Sequence, residues 1–132
     1  MKIENIKFKA KRLDNSEWVK GYFYQECDNT YIIEDRQKDS ILNRNEAVLV
    51  DPSTVCQFTG IYDLDDNEIY ENDLVQDTQT KVVFAVVWNP IYACYSFLNE
   101  KANRYAAMNF AVYSSKDILI VGNRFDRKEG EK

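Results

Sequence analysis

The chain has 132 residues, is 45% hydrophobic and 14% aromatic, and carries 17 Lys and Arg against 22 Asp and Glu, for a formal charge of -5. That length holds one domain, or one compact domain with a smaller annex, and the apolar content is far above that of disordered chains. A second large domain is excluded, and with no histidine the usual nitrogen metal ligands and the Cys-His nucleophile are excluded too.

Cys27, Cys56 and Cys94 are widely spaced and form no C-x-x-C pair. They read as reduced, buried thiols, with no zinc site and no cofactor expected. The longest apolar run, 82–88, falls far short of the ~20 residues needed to cross a bilayer. The N-terminus also has no apolar signal core, so the expectation is a soluble cytoplasmic protein without a membrane partner.

In chain order, residues 6–11 alternate apolar and cationic side chains, which predicts a strand with Ile6, Phe8 and Ala10 inward and Lys7, Lys9 and Lys11 in water. A turn at 13–16 leads to an aromatic return strand over 17–27 containing Trp18, Tyr22, Phe23 and Tyr24. A second turn at Asp28-Asn29 precedes a strand over 31–33, which completes a meander. Residues 35–46 read as an exposed polar connection. After the apolar stretch 47–50, Asp51-Pro52 imposes a break, because Pro52 fixes its own φ and restricts Asp51 to extended geometry. The predicted division is therefore 1–50, a β-rich extension, and 51–132, a second subdomain with a short polar tail.

Further strands are predicted over 55–59, 73–77, 82–88, 93–98, 110–113 and 118–121. Two strand-like pieces ending at Ile61-Tyr62 and Ile69-Tyr70 flank the turn-forming residues 63–67, a hairpin signal. The run 82–88 lacks polar members except the Trp88 indole nitrogen, so it reads as a strand covered on both faces. Asn89-Pro90 ends it. Residues 101–108 read as one or two helical turns within an uncertain loop. The predicted core includes Phe58, Ile69, Leu74, Val83, Val87, Phe97 and Ile120.

Taken as an ordered set, residues 6–22, 51–60, 68–75 and 121–123 resemble the YopX-like family of small phage and prophage proteins. The resemblance spans most of the chain. It implies an SH3-like small barrel in the C-terminal portion, with an N-terminal β-rich extension, in a mainly β fold. It supplies no reaction. Asp66 and Asn72 stand where the family pattern has glycine, and both residue types visit the left-handed region readily enough to keep those turns.

Charge is unevenly distributed. Residues 61–80 hold Asp63, Asp65, Asp66, Glu68, Glu71, Asp73 and Asp77 with no basic residue, whereas residues 2–20 hold Lys2, Lys7, Lys9, Lys11, Arg12 and Lys20 against Glu4, Asp14 and Glu17. A calcium-loop reading of 63–68 fails, because an EF-hand would need glycine at Glu68 and a bidentate glutamate at Leu74. The acidic cluster reads instead as a solvated turn, and no catalytic carboxylate pair or activated serine is indicated.

These features favour a non-enzymatic phage accessory protein acting by self-assembly or by contact with another phage or host protein. Lys7, Lys9, Lys11, Arg12, Asp63, Asp65, Asp66 and Asp73 are its candidate interaction surface. The alternatives are a nucleic-acid-binding module and a carboxylate- or metal-dependent enzyme. Against nucleic acid stand the acidic pI near 4.8 and an alternation that puts the lysines and most aromatics on opposite sides of the first hairpin.

Overall fold

The computed structural model describes residues 2–34, 46–106 and 117–127. Within them the protein is mainly β, with eleven strands, three short 3-10 turns and no α-helix. The chain divides into two compact units, Met1–Phe58 and Thr59–Lys132. The contact boundary lies downstream of Asp51-Pro52. There Pro52–Thr54 forms a 3-10 turn capped by the Asp51 carboxylate, and the following strand begins by pairing back onto the first unit.

In the first unit, β1 (Phe8–Lys11), β2 (Trp18–Glu26), β3 (Asn29–Ile33) and β4 (Ala47–Val50) form an antiparallel meander. The first residues of β5 (Cys56–Tyr62) pair with the other edge of β1. A bridge from Arg12 to Val50 ties the end of β1 back to β4. Ala10, Val19, Ile32, Val48 and Val50 form the core, with Phe8 and Val55 packed against it. The β2–β3 turn uses Cys27 and Asp28, both at positive φ (52° and 67°), rather than the predicted Asp28-Asn29. Two successive left-handed residues match the right-handed twist of a tight hairpin. They also leave Cys27 exposed, whereas Cys56 is buried and Cys94 half-buried. A cysteine in a tight turn has no core to enter.

In the second unit, β5 continues into a hairpin with β6 (Glu68–Tyr70). A five-stranded antiparallel sheet follows, in the order β10 (Arg104–Tyr105), β9 (Cys94–Asn99), β8 (Val83–Asn89), β7 (Asp73–Asp77), β11 (Ile118–Asn123). Its hydrogen bonding leaves β10 and β11 as edges and closes no barrel among the described residues. The core is Ile69, Val75, Phe84, Val86, Phe97 and Ile118.

Phe58, Ile69 and Phe97 are buried as predicted, Leu74, Val87 and Ile120 are half-buried, and Val83 is 41% exposed. A continuous apolar run gives no alternation from which to read its phase, and the Val75↔Phe84 register turns Phe84 and Val86 inward, not Val83 and Val87. Trp88 lies on the same side as Phe84 and Val86 but near the end of β8, where it is 48% exposed, so β8 is not covered on both faces along its whole length. Residues 100–103 form a turn and Arg104–Tyr105 a short strand in place of helical turns. The predicted strand at 110–113, the connection at 35–45 and the tail beyond 127 lie outside the described residues.

Candidate functional site

The acidic hairpin between β5 and β6 is a tight turn closed by Asp63 N–H donating to the Asn67 carbonyl at 2.9 Å. Asp66 sits at φ 61°, in the left-handed conformation its position requires. The Asp63 side chain is 1% exposed. Its Oδ1 accepts from the Asp65 and Asn67 amides, both at 2.9 Å, and its Oδ2 from the Ile120 amide at 3.0 Å. Beside that last bond, Leu64 N–H donates to the Ile118 carbonyl at 2.9 Å. One carboxylate thus folds the turn and caps an otherwise unpaired stretch of the β11 edge, where an exposed row of amides would invite another strand. Burial alone would raise the Asp63 pKa, but the amides of Ile120, Asn67 and Asp65 outweigh it and hold the carboxyl below the usual carboxylate range.

Asp73, at the start of β7, is 2% exposed. It accepts from the Tyr70 amide at 2.7 Å and from Asn123 Nδ2 at 2.9 Å. Asn123 Oδ1 accepts in turn from the Phe125 amide. The intervening Asn72 lies at φ 72°, and both its carbonyl and its side-chain oxygen receive Arg124, at 2.9 and 3.1 Å. Tyr70 is fully buried, and its hydroxyl donates to Glu68 Oε1 at 3.0 Å. Burial, reinforced by Glu68, raises its pKa strongly and keeps the phenol protonated.

Asp63 and Asp73 therefore leave the predicted interaction surface. Each is buried with its oxygens satisfied, Asp63 by three backbone amides and Asp73 by the Tyr70 amide and the Asn123 side chain. Asp65 and Asp66 remain exposed on the hairpin.

The basic strand also differs from expectation. Arg12 is engaged locally, its Nε and Nη2 donating to Asp14 at 2.9 and 2.8 Å, so it belongs to the β1–β2 turn. Its guanidinium holds the Asp14 carboxyl below the usual range. Lys9 and Lys11 share a face with Trp18, because Lys11 pairs directly with Trp18 in the β1–β2 register. Their ammonium groups lie 4.7 and 5.5 Å from the Trp18 ring centroid. Lys7 lies 4.8 Å over Phe58. Residues directly opposed in antiparallel strands point to the same side, so Tyr22 and Tyr24 join this face, while Phe23 packs against Phe8 on the other. The expected separation of lysines from aromatics fails for Trp18, Tyr22 and Tyr24.

A further surface was not anticipated. No charged residue occurs across residues 82–99, and the β8–β9 connection places Ile91 and Tyr92 at 78% and 76% exposure, with Trp88 at 48%. Trp88 opposes Tyr95 in the register, and their rings pack edge to face at 5.2 Å. A local bond and one left-handed residue shape the connection. Buried Asn89 accepts from the Ile91 amide through Oδ1 at 3.0 Å, and Ala93 adopts φ 52°. Reading 82–88 as a buried strand hid this tip, although the absence of charge continuing past the Asn89-Pro90 turn was visible in the sequence.

No group of three or more His, Cys, Asp and Glu side chains is placed to hold a metal ion among the described residues. Within the same residues, no helix is long and apolar enough to cross a membrane.

Fold and geometry together define a mainly β, antiparallel protein whose most recognisable acidic residues brace its turns and strand edges. The family model described as YopX protein matches residues 1–129, and the chain belongs to that family. No curated protein matches it.

Proposed function

We propose that this protein is a phage- or prophage-encoded accessory module, non-enzymatic and cytoplasmic in the bacterial host, that works through protein contacts and first of all through self-assembly. The observation carrying this reading is the β8–β9 tip. Trp88, Ile91, Tyr92 and Tyr95 are uncharged, mostly aromatic side chains on one hairpin, with Trp88 packed on Tyr95 and Tyr95 packed against the core. Buried aromatic anchors surrounded by uncharged contacts are what dominate protein interfaces energetically, and solvent exposure of several such groups together is unfavourable unless they are covered.

The inward use of Asp63 and Asp73 supports the non-enzymatic part of the reading, because their oxygens already serve the protein's own amides and the Asn123 side chain. The SH3-like barrel implied for the C-terminal portion belongs to this proposal as well. Short antiparallel strands and a hairpin pinned along β11 support it. Electrostatic pairing between Lys9 or Lys11 and Asp65 or Asp66 of another copy would speed encounter more than it strengthens the complex, since exposed pairs contribute only ~0.2–1 kcal/mol.

Sedimentation velocity across a concentration series tests the reading. Wild-type protein should associate, and an Ile91→Asp, Tyr92→Asp double variant should sediment as a monomer. A wild-type monomer at the highest attainable concentration, with no protein recovered on it from phage-infected cells, would remove the proposal.

A further inference from the structure

The face of the first unit that carries Lys9 and Lys11 has a composition that protein contact does not require. Register aligns Lys9 directly opposite Lys20, and Lys11 opposite Trp18. Continuing along the sheet, the same side shows Tyr22, which is 43% exposed, then Tyr24 paired with Tyr31. The Tyr24 and Tyr31 rings stack at 5.1 Å with an interplanar angle of 19°. Lys7 extends the lysine row, one cation at every second residue, or about 7 Å apart along the strand. Within β1–β4 the one carboxylate on this side is Glu26, at the far end of β2.

The register sets Lys9 directly opposite Lys20, which concentrates two positive charges at one point of the sheet, and a polyanion lying across it would meet both. The overall charge of -5 does not weigh against this face. Residues 1–58 hold nine basic and ten acidic residues, so most of the acidic excess belongs to the remainder of the chain.

We propose that this face binds single-stranded nucleic acid, with Lys9, Lys11 and Lys20 on the phosphates and Tyr22 and the Tyr24–Tyr31 pair offering rings to the bases, while Trp18 packs beneath Lys9 and Lys11. Charge complementarity selects a polyanion, and the interleaved rings select one with unstacked bases, since a positively charged surface with aromatic platforms is what single strands recognise. Duplex nucleic acid keeps its base faces stacked inside the helix and would engage only the lysines. The residues of this face are not those of the β8–β9 tip that carries the proposed function, so loss of strand binding in the Tyr22→Ala variant and loss of assembly in the Tyr92→Asp variant are separate outcomes.

The test is fluorescence anisotropy of labelled dT15 and rU15 with the full chain, at several salt concentrations, and with a duplex of equal length as comparison. Single strands should bind more tightly than duplex. Each phosphate contact should contribute about 0.7 to the slope of log K against log salt, so three lysines predict a slope near -2. Lys9→Gln, Lys11→Gln and Lys20→Gln together should flatten that slope, and Tyr22→Ala should weaken binding about fivefold or more. Lys81→Gln with Lys101→Gln, in the other unit, should change neither. Thermal melting of each variant separates lost binding from lost folding, and Lys20→Gln alone, at an exposed position, serves if the triple variant melts early.

No binding of either single strand at low salt would overturn the proposal. So would affinity unchanged by the lysine variants, or equal affinity for duplex together with no effect of Tyr22→Ala. Preference between dT15 and rU15 assigns the strand to DNA or RNA.

Discussion

Asp73 and Asn123 stand 50 residues apart in the chain, yet Asn123 Nδ2 donates to Asp73 Oδ1 at 2.9 Å inside the second unit. This one bond joins the central and closing segments of the pattern by which the family is recognised. The Asn123 side chain also caps the 3-10 turn Arg124–Asp126 by accepting from the Phe125 amide. Glu100 then takes contacts from Arg124 and Arg127, holding that turn against the β9–β10 connection.

Replacing Asp73 with Ala should orphan the Tyr70 amide and the Asn123 amide group, costing about 1–3 kcal/mol for each buried donor left unpaired. A double-mutant cycle with Asn123→Ala, read by urea unfolding, should show coupling on the order of 0.5–3 kcal/mol. The chain's two tryptophans, Trp18 and Trp88, fall in different units, so following each in turn locates the loss. Additive single-variant effects would mean that the bond contributes nothing measurable.

Asp63 gives the fold an acid limb. Its folded pKa is depressed, so the unfolded chain binds the extra proton. The stabilisation is complete above the ordinary carboxyl value near 4 and is lost as pH falls through the lower folded value. Asp63→Asn should lower stability at pH 7, because an amide group can no longer accept from all three backbone donors. It should also flatten the decline in stability below about pH 4. Parallel acid limbs for wild type and variant would contradict this role.

Much of the architecture was legible in the sequence. The strand at 73–77 matches the observed bounds, and the left-handed positions of Asp66 and Asn72 follow from their conformational tolerance. What could not be read was burial of individual acidic residues. Asp63, Asp65 and Asp66 look alike in a turn-forming run, and only Asp63 meets the Ile120 amide, a partner 57 residues away. Likewise the alternation of 6–11 fixed which side the lysines take, but not that Trp18 would lie opposite Lys11, since the length of the intervening turn sets that register.

Gly21 tests the first unit. A Cβ there would lie 2.0 Å from the Ile33 carbonyl oxygen, in backbone at φ 157°. Gly21→Ala should force β2 and β3 apart and cost about 1–3 kcal/mol or more. Gly60, at φ 90°, has nothing near its added Cβ, so Gly60→Ala should cost only the backbone strain, about 1–2 kcal/mol. Equal costs would show that the Gly21 contact relaxes freely.

Core assignment in β8 and β9 is separable by substitution. Phe97, 1% exposed, should lose about 3–5 kcal/mol on truncation to Ala. Val83, 41% exposed, should lose within about 0.5 kcal/mol. Comparable losses at both sites would place the register out of phase.

The most direct test of protein contact through the β8–β9 tip is the solution mass of Tyr92→Asp against wild type, with melting temperatures measured alongside. Tyr92 is 76% exposed, so the substitution should leave the melting temperature of the dissociated chain unchanged while the assembled mass falls to that of a single 15.5 kDa chain. A wild-type protein that is already monomeric, or a variant whose assembly persists undiminished, would contradict the account.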